Sequence, residues 1–404
     1  MYTPRLPLAL TDEVIGYLHD DERTLGTCAL VCRGWLPVSR MYKFREFEVN
    51  HRRMAQSSCP LLCDSAPTIL PYVRCLRLEL YVHEIDRVAL KSTWLDTLPR
   101  MRLDQFTALQ CLELSRLRWE DLSRQSRDCL FAACRRIQTL ILRGLKSLDG
   151  IEPALEMLFA APLLKHFELS GVEPSSLRGR EDDRTIFDHS SPFYADKKMP
   201  VTLRSVAIGA GVSFVLVALD HFTPVLQVHT LSAICLRLGE ASDLAMFVQS
   251  CGASLECGTS AAAIFCETGG FSHNTSLRTL EFTLDPCESA PPMLSILQQI
   301  SSSVMEKVRM VSTPQHLRTM DFDGLASILQ NGPLSGARLD IDAVNRAIVP
   351  SMEANNLLPE HLGWLVAEDR LIFTHTDIAS KDLPTPSTPQ YEWADMVSFD
   401  SPPS

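Results

Sequence analysis

Apolar residues recur along this chain in one short phrase, L-x-x-L-x-L, with aliphatic residues or Phe accepted at each place. It fits Val73/Leu76/Leu78, Leu109/Leu112/Leu114, Ile137/Leu140/Leu142, Leu164/Phe167/Leu169, Leu203/Val206/Ile208, Leu277/Leu280/Phe282 and Leu317/Met320/Phe322, with a fainter copy around Val228/Leu231. Within each phrase the L-x-L alternation is that of a short strand with one buried face. Between phrases, stretches such as Glu120–Cys134 and Gly150–Ala160 carry apolar residues at helical spacing. A unit of one strand and one helix cannot bury its own apolar face, so neighbouring units must stack. The pattern therefore predicts an arc with a parallel sheet on its inside. A compact α/β domain with a non-repeating sheet is the competing architecture.

The phrase resembles the leucine-rich repeat. The first intervals after Leu109, about 28 and 27 residues, fall in that range, and others stretch to about 40. Where the standard repeat places Asn or Cys three residues after the last strand leucine, this chain has Leu117, Leu145, Val172, Gly211 and Asp285. The side-chain amide ladder of a regular repeat is thus missing, and an irregular solenoid is expected. Further elements are read as a strand at Glu46–Val49, a helix at Met293–Lys307, a strand at Ala337–Ile341, a helix at Ala343–Ala354 and a closing strand at Arg370–Thr374. The apolar run Val206–Leu219, broken by Gly209 and Gly211, is too short to span a bilayer and reads as strand, turn and helix.

The first fifty residues follow a different period. Leu10, Val14, Ile15 and Leu18 share one face of a helix that Pro7 suits as its opening residue. Leu25, Cys28, Ala29, Cys32 and Trp35 form a second stripe from Glu22 to Trp35, with Pro37 as its stop. Such short amphipathic helices bury little area alone and must pack on something larger. The ordered string Leu6-Pro7, Val14, Ile15, Leu18, Asp20-Asp21, Leu25, Cys28, Leu30-Val31-Cys32-Arg33, Trp35 and Phe44-Arg45 resembles an F-box, the module that docks on the Skp adaptor of cullin-RING ubiquitin ligases. Ala9 stands where the family usually has Glu, and Tyr42-Lys43-Phe44 replaces its Leu-Phe close. Together with Tyr72–Leu78, which opens the repeats, the string resembles fungal-type F-box proteins with degenerate leucine-rich repeats.

The resemblance implies an α/β fold: an N-terminal helical F-box followed by an irregular leucine-rich-repeat-like solenoid with a parallel sheet. The expected division is residues 1–50 for the helical module, 51–72 for a linker, 73–379 for the repeats and 380–404 for a disordered Pro/Ser-rich tail. Pro174–Pro200, with its run Arg178–Arg184, is expected to be a surface loop. By the same resemblance, Leu6, Pro7, Leu10, Ile15, Leu18, Leu25, Leu30, Val31 and Trp35 would form the adaptor-docking face. The implied role is the substrate receptor of an SCF-type ligase, bound to a Skp-type adaptor and through it to a cullin, with the repeats holding a protein target. The alternative is a repeat-based scaffold outside the ubiquitin system, with the helices as a simple cap.

Composition narrows this picture. A net charge of −11 without a long Lys/Arg run argues against nucleic acid or an anionic membrane as partner. Thirteen scattered cysteines fit reduced thiols of the cytoplasm or nucleus, and Met1–Thr11 lacks the pattern of a secretory signal. No phosphate-binding loop, dinucleotide fingerprint, H-E-x-x-H or G-x-S-x-G occurs. Cys59/Cys63 and Cys251/Cys257/Cys266 match no zinc spacing, so no metal, no cofactor and no enzymatic activity are expected.

Overall fold

The computed structural model describes residues 7–50, 69–79, 95–147, 151–171, 173–174, 200–209, 214–222, 228–233, 241–261, 271–283, 291–313, 317, 320–345 and 362–377. Three helices come first: α1 (Leu8–Gly16), α2 (Glu22–Val31) and α3 (Leu36–Lys43). Strand β1 (Glu46–Asn50) follows without a break and pairs in parallel with β2 (Cys75–Glu79). The sheet then runs through β3 (Cys111–Ser115), β4 (Thr139–Arg143), β6 (His166–Ser170), β8 (Ser205–Ile208), β9 (Thr230–Ala233), β10 (Cys257–Ala261), β11 (Thr279–Thr283), β12 (Lys307–Ser312), β13 (Arg338–Asn345) and β14 (Leu371–Asp377). A small pair, β5 (Lys146–Ser147) with β7 (Glu173–Pro174), stands beside it. Helices α4 (Arg124–Cys134), α5 (Glu152–Phe159), α6 (Phe214–Phe222), α7 (Ala241–Cys251), α8 (Pro291–Gln299) and α9 (Phe322–Asn331) connect successive strands.

All neighbours in this twelve-stranded sheet are parallel and follow chain order. A non-repeating doubly wound sheet reverses its strand order at a switch point; a stack of strand-plus-helix units does not. The arrangement is therefore a solenoid-like mixed α/β fold. Its register lays one continuous apolar ladder, Phe47–Leu76–Leu112–Leu140–Phe167–Val206–Leu231, continued through Gly258, Leu280, Val308, Leu339 and Leu371. The ladder side chains from Leu76 to Leu231, with Leu280, Val308 and Leu339, join the helix residues Leu130, Leu155, Leu216, Phe247 and Leu325 in one buried cluster, against which half-buried Phe47 and Leu371 pack. One sheet face is thus covered by helices. The alternate residues of each strand point to the other, open face.

Several expectations are corrected by the structure. The predicted helix Glu22–Trp35 ends at Val31, and Pro37 does not stop it but lies in the first turn of α3, where a missing N–H costs nothing. The phrase Leu317/Met320/Phe322 is not a strand: Asp321 accepts a hydrogen bond from the Gly324 N–H (2.8 Å) and caps α9, which starts at Phe322. The strand of that unit is β12, built on buried Met305, Val308 and Met310. The helix read as Met293–Lys307 accordingly stops at Gln299. Ala343–Asn345 belong to β13 rather than to a helix, and residues 346–354 lie outside the described residues, as do 175–199 and 380–404.

Strand β10 escaped the template because Gly258 stands where a leucine is expected. A Cβ there would lie 3.5 Å from both Leu280 Cδ1 and Phe271 Cε1, so the aromatic ring of the next turn fills the missing volume. The absent asparagine ladder is replaced as well. Leu117 and Leu145 are buried as apolar residues, and the turn bonds come from the backbone: Arg116 N–H donates to Arg143 O (2.6 Å) and Gly144 N–H to Ser170 O (2.8 Å). Arg116, Gly144 and Gly171, at the same place in three successive units, all adopt positive φ (57°, 65° and 63°), and the N–H groups of the first two bond to the next strand.

Candidate functional site

Two surfaces carry exposed chemistry, the N-terminal helices and the open sheet face. In the first, Asp21 caps α2 by accepting from the N–H groups of Arg23 (3.1 Å) and Thr24 (2.9 Å) and from the Thr24 hydroxyl (2.6 Å). Those bonds, the Thr24 hydroxyl foremost, hold its carboxyl below the ordinary range. Helices α1 and α2 both pack on α3. The fit is close: a Cβ at Gly16 would stand 2.9 Å from Tyr42 Oη. Ile15, Leu25, Cys28 and Ser39 are buried between the helices. Through α3 the module touches the turn Leu70–Tyr72, and Arg45 O accepts from the N–H groups of Arg74 and Cys75 at the start of β2.

The opposite sides of these helices are open. Among the described residues eleven large apolar side chains are exposed, and five of them lie between Leu10 and Val31: Leu10, Val14, Tyr17, Leu30 (87%) and Val31. Of the residues singled out in the sequence, Pro7, Leu10, Leu30 and Val31 are exposed, Leu18 and Trp35 are half-buried, and Leu6 lies outside the described residues. Ile15 and Leu25 are internal. The single face drawn through Leu10, Val14, Ile15 and Leu18 is therefore two faces. Ile15 is turned away from Leu10 by about 140° at 100° per residue, and Leu18 lies past the end of α1. Val14 and Tyr17 were not among the docking candidates; with Leu10 they form an i, i+4, i+7 stripe that was present to be read.

On the open sheet face, charged residues at the middle of the L-x-L phrases (Arg77, Glu113, Glu168) pair across strands with others just outside them (Glu46, Arg143). Glu113 Oε2 accepts from Arg77 Nε (3.0 Å) and Glu113 Oε1 from Arg143 Nη1 (2.9 Å). Arg77 reaches on to Glu46 (2.9 Å) and Arg143 to Glu168 (2.8 Å), so the chain Glu46–Arg77–Glu113–Arg143–Glu168 crosses strands β1 to β6. The lattice lines a shallow cleft of about 410 Å³ with Glu48, Glu79 and Arg116. A second lattice lies at the other end, where Arg309 joins Glu281 (3.1 Å) to Asp342 (2.6 Å) and Asp340 joins Lys307 to Arg338. Between the two, on β8 and β9, the face is neutral and small: Ser205, Ala207, Thr230 and Ser232. The opposite charges of Arg77, Glu113 and Arg143 at outward positions of successive strands are the signal that sequence reading passed over.

Both Glu113 oxygens are used, and its side chain is only 10% exposed. Glu113→Gln keeps one acceptor and turns an amide donor toward a guanidinium. A loss of about 1–3 kcal/mol is expected, limited by the 39% exposure of both arginines. Urea unfolding should show a lowered midpoint at unchanged slope.

Among the described residues, no group of three or more His, Cys, Asp or Glu side chains is placed to hold a metal ion. No helix is long and apolar enough to cross a membrane among them. No family model matches the chain, and no curated protein matches it. Among solved structures the crystal structure of the Rad7 and Elc1 complex in yeast is similar at a TM-score of 0.42, with 10% identity over 88% of this chain and 85% of that one.

Proposed function

We propose that the chain is the substrate receptor of an SCF-type cullin-RING ubiquitin ligase, with the N-terminal helices docking on a Skp-type adaptor and the repeat domain holding a protein target. The observation that carries this reading is the set of open apolar side chains, Leu10, Val14, Tyr17, Leu30 and Val31, on helices whose other sides are already packed. Apolar surface of that density on a small helical module is characteristic of a binding site. The order of the F-box-like string, from Pro7 to Phe44, supports the identity of the partner. In this scheme the receptor works by proximity, raising the local concentration of target lysines near a conjugating enzyme. No covalent step belongs to the chain itself.

The second reading, a repeat scaffold capped by its own helices, is favoured by one observation: β1 continues directly from α3 into the sheet. Co-purification with a Skp-type adaptor separates the two. Leu10→Glu and Leu30→Glu alter exposed positions, so circular dichroism should be unchanged while adaptor binding weakens by about 30-fold or more for each anchor lost. An intact chain that fails to retain the adaptor would leave the scaffold reading.

A further inference from the structure

Two thiols stand side by side on the open sheet face. In the parallel pair β2–β3 the direct partner of Cys75 is Cys111. Both project to the side of Arg77 and Glu113, two residues further along their strands. Directly paired residues of adjacent strands are about 4.8 Å apart, inside the Cα separation of about 4.4–6.8 Å that a disulfide spans. The Cys75 thiol is the leading influence on that of Cys111. Both are free, Cys75 half-buried and Cys111 only 6% exposed.

We propose that Cys75 and Cys111 form a reversible redox pair, closed to a cross-strand disulfide by a small-molecule disulfide oxidant and reopened by the corresponding thiol. Cys75, the more accessible, loses its proton to solvent and attacks one sulfur of the oxidant RSSR. A Cys75–S–S–R mixed disulfide forms and RS⁻ leaves. That thiolate takes the proton of Cys111, whose sulfur then attacks Cys75 Sγ, forming the Cys75–Cys111 bond and expelling the second RS⁻, which is protonated by solvent. In sum the protein thiols give up two electrons and two protons, and one RSSR becomes two RSH.

The division of roles follows from the surroundings. The Cys75 thiol and then burial push the Cys111 thiol far above its ordinary range, and only the Arg77 guanidinium acts in the opposite sense. Cys111 is thus a poor first attacker, and it is placed to resolve a mixed disulfide formed on its neighbour. Closing the bond draws the two Cβ atoms to about 3.8 Å, beside the arginine that joins Glu46 to Glu113. A bond that pulls two strands together in this way is of the readily reduced kind. Elsewhere, Cys134 and Cys251 lie on helices with their thiols pushed up to about 12, burial being the leading cause, and serve as internal references that stay reduced. Cys32, exposed on the N-terminal module, reports that the oxidant is active.

This pair stands whether or not the chain is a ligase receptor. The test is to treat the intact folded chain with oxidised glutathione, alkylate the remaining thiols, digest without reduction and map the peptides by mass spectrometry. The expected product is a peptide joining Cys75 to Cys111 that disappears on adding glutathione. Cys111→Ser should instead accumulate one glutathionyl group on Cys75, whereas Cys75→Ser should leave Cys111 unmodified. If Cys32 takes the adduct while no Cys75–Cys111 peptide forms, the proposal is overturned. It is equally overturned by a folded Cys111→Ser chain whose Cys75 stays free; the joined peptide in the unsubstituted chain decides the matter should that variant unfold.

Discussion

Phe167→Ala is expected to cost about 3–5 kcal/mol, the range for a fully buried phenylalanine. Phe167 is fully buried on the helix-covered face and is one of the largest internal side chains. It forms the rung between Leu140 and Val206, so its ring is gripped by apolar neighbours on both adjoining strands as well as by the helices. Alanine removes most of that volume and leaves a cavity that three strands locked in register cannot close. Because each unit touches only its neighbours, the damage falls on the interfaces to both sides, and the array can split into two melting blocks. Equilibrium urea unfolding checks this: a lowered midpoint with a shallower slope is expected, and a loss under about 1 kcal/mol would refute the placement of Phe167 in the core.

The second large effect is one of pH. His166 begins β6 on the open face with 7% of its surface exposed, its Nδ1 2.8 Å from Ser205 Oγ. Burial pushes its pKa down from 6.5 to about 4. Between those values the unfolded chain takes up a proton that the folded chain refuses. Stability contributed by the neutral ring is therefore intact above about pH 6.5 and is lost progressively as pH falls toward 4, where the loss levels off. At about 1.4 kcal/mol per pH unit the full loss is about 3 kcal/mol. His166→Gln retains a group able to bond Ser205 and cannot titrate. The difference in unfolding free energy between the two chains, measured from pH 7 to 4, isolates this residue from the many carboxylates that titrate below it. A constant difference across that range would show that the ring is not buried as described.

Much of the sheet was legible in the sequence for a local reason. Alternation at period two is a property of the strand itself, so Leu112/Leu114, Leu140/Leu142 and Phe167/Leu169 announced β3, β4 and β6, and sequential copies announced a stack. Where the local signal was ambiguous the reading failed. Leu317/Met320/Phe322 has spacings that suit a strand or a helix start, and the Asp321 cap decided for the helix. Gly258 offered no signal at all, because the side chain that fills its place belongs to Phe271 of the next turn.

The sites divide along the same line. The sequence by itself determined the strands that carry the alternating phrase and the apolar content of the first fifty residues. Only the tertiary structure decided that Leu10, Val14 and Leu30 are open while Ile15 and Leu25 are closed, because α3 covers one side of α1 and α2 and leaves the other bare. Only the register of β2 on β3 brought Cys75 to Cys111 across thirty-six positions of chain, and only that of β2, β3 and β4 set Glu113 between Arg77 and Arg143. The physical reason is that periodicity reports what a residue's own backbone does, whereas exposure, pairing and proton affinity depend on atoms brought close by closure of the stack.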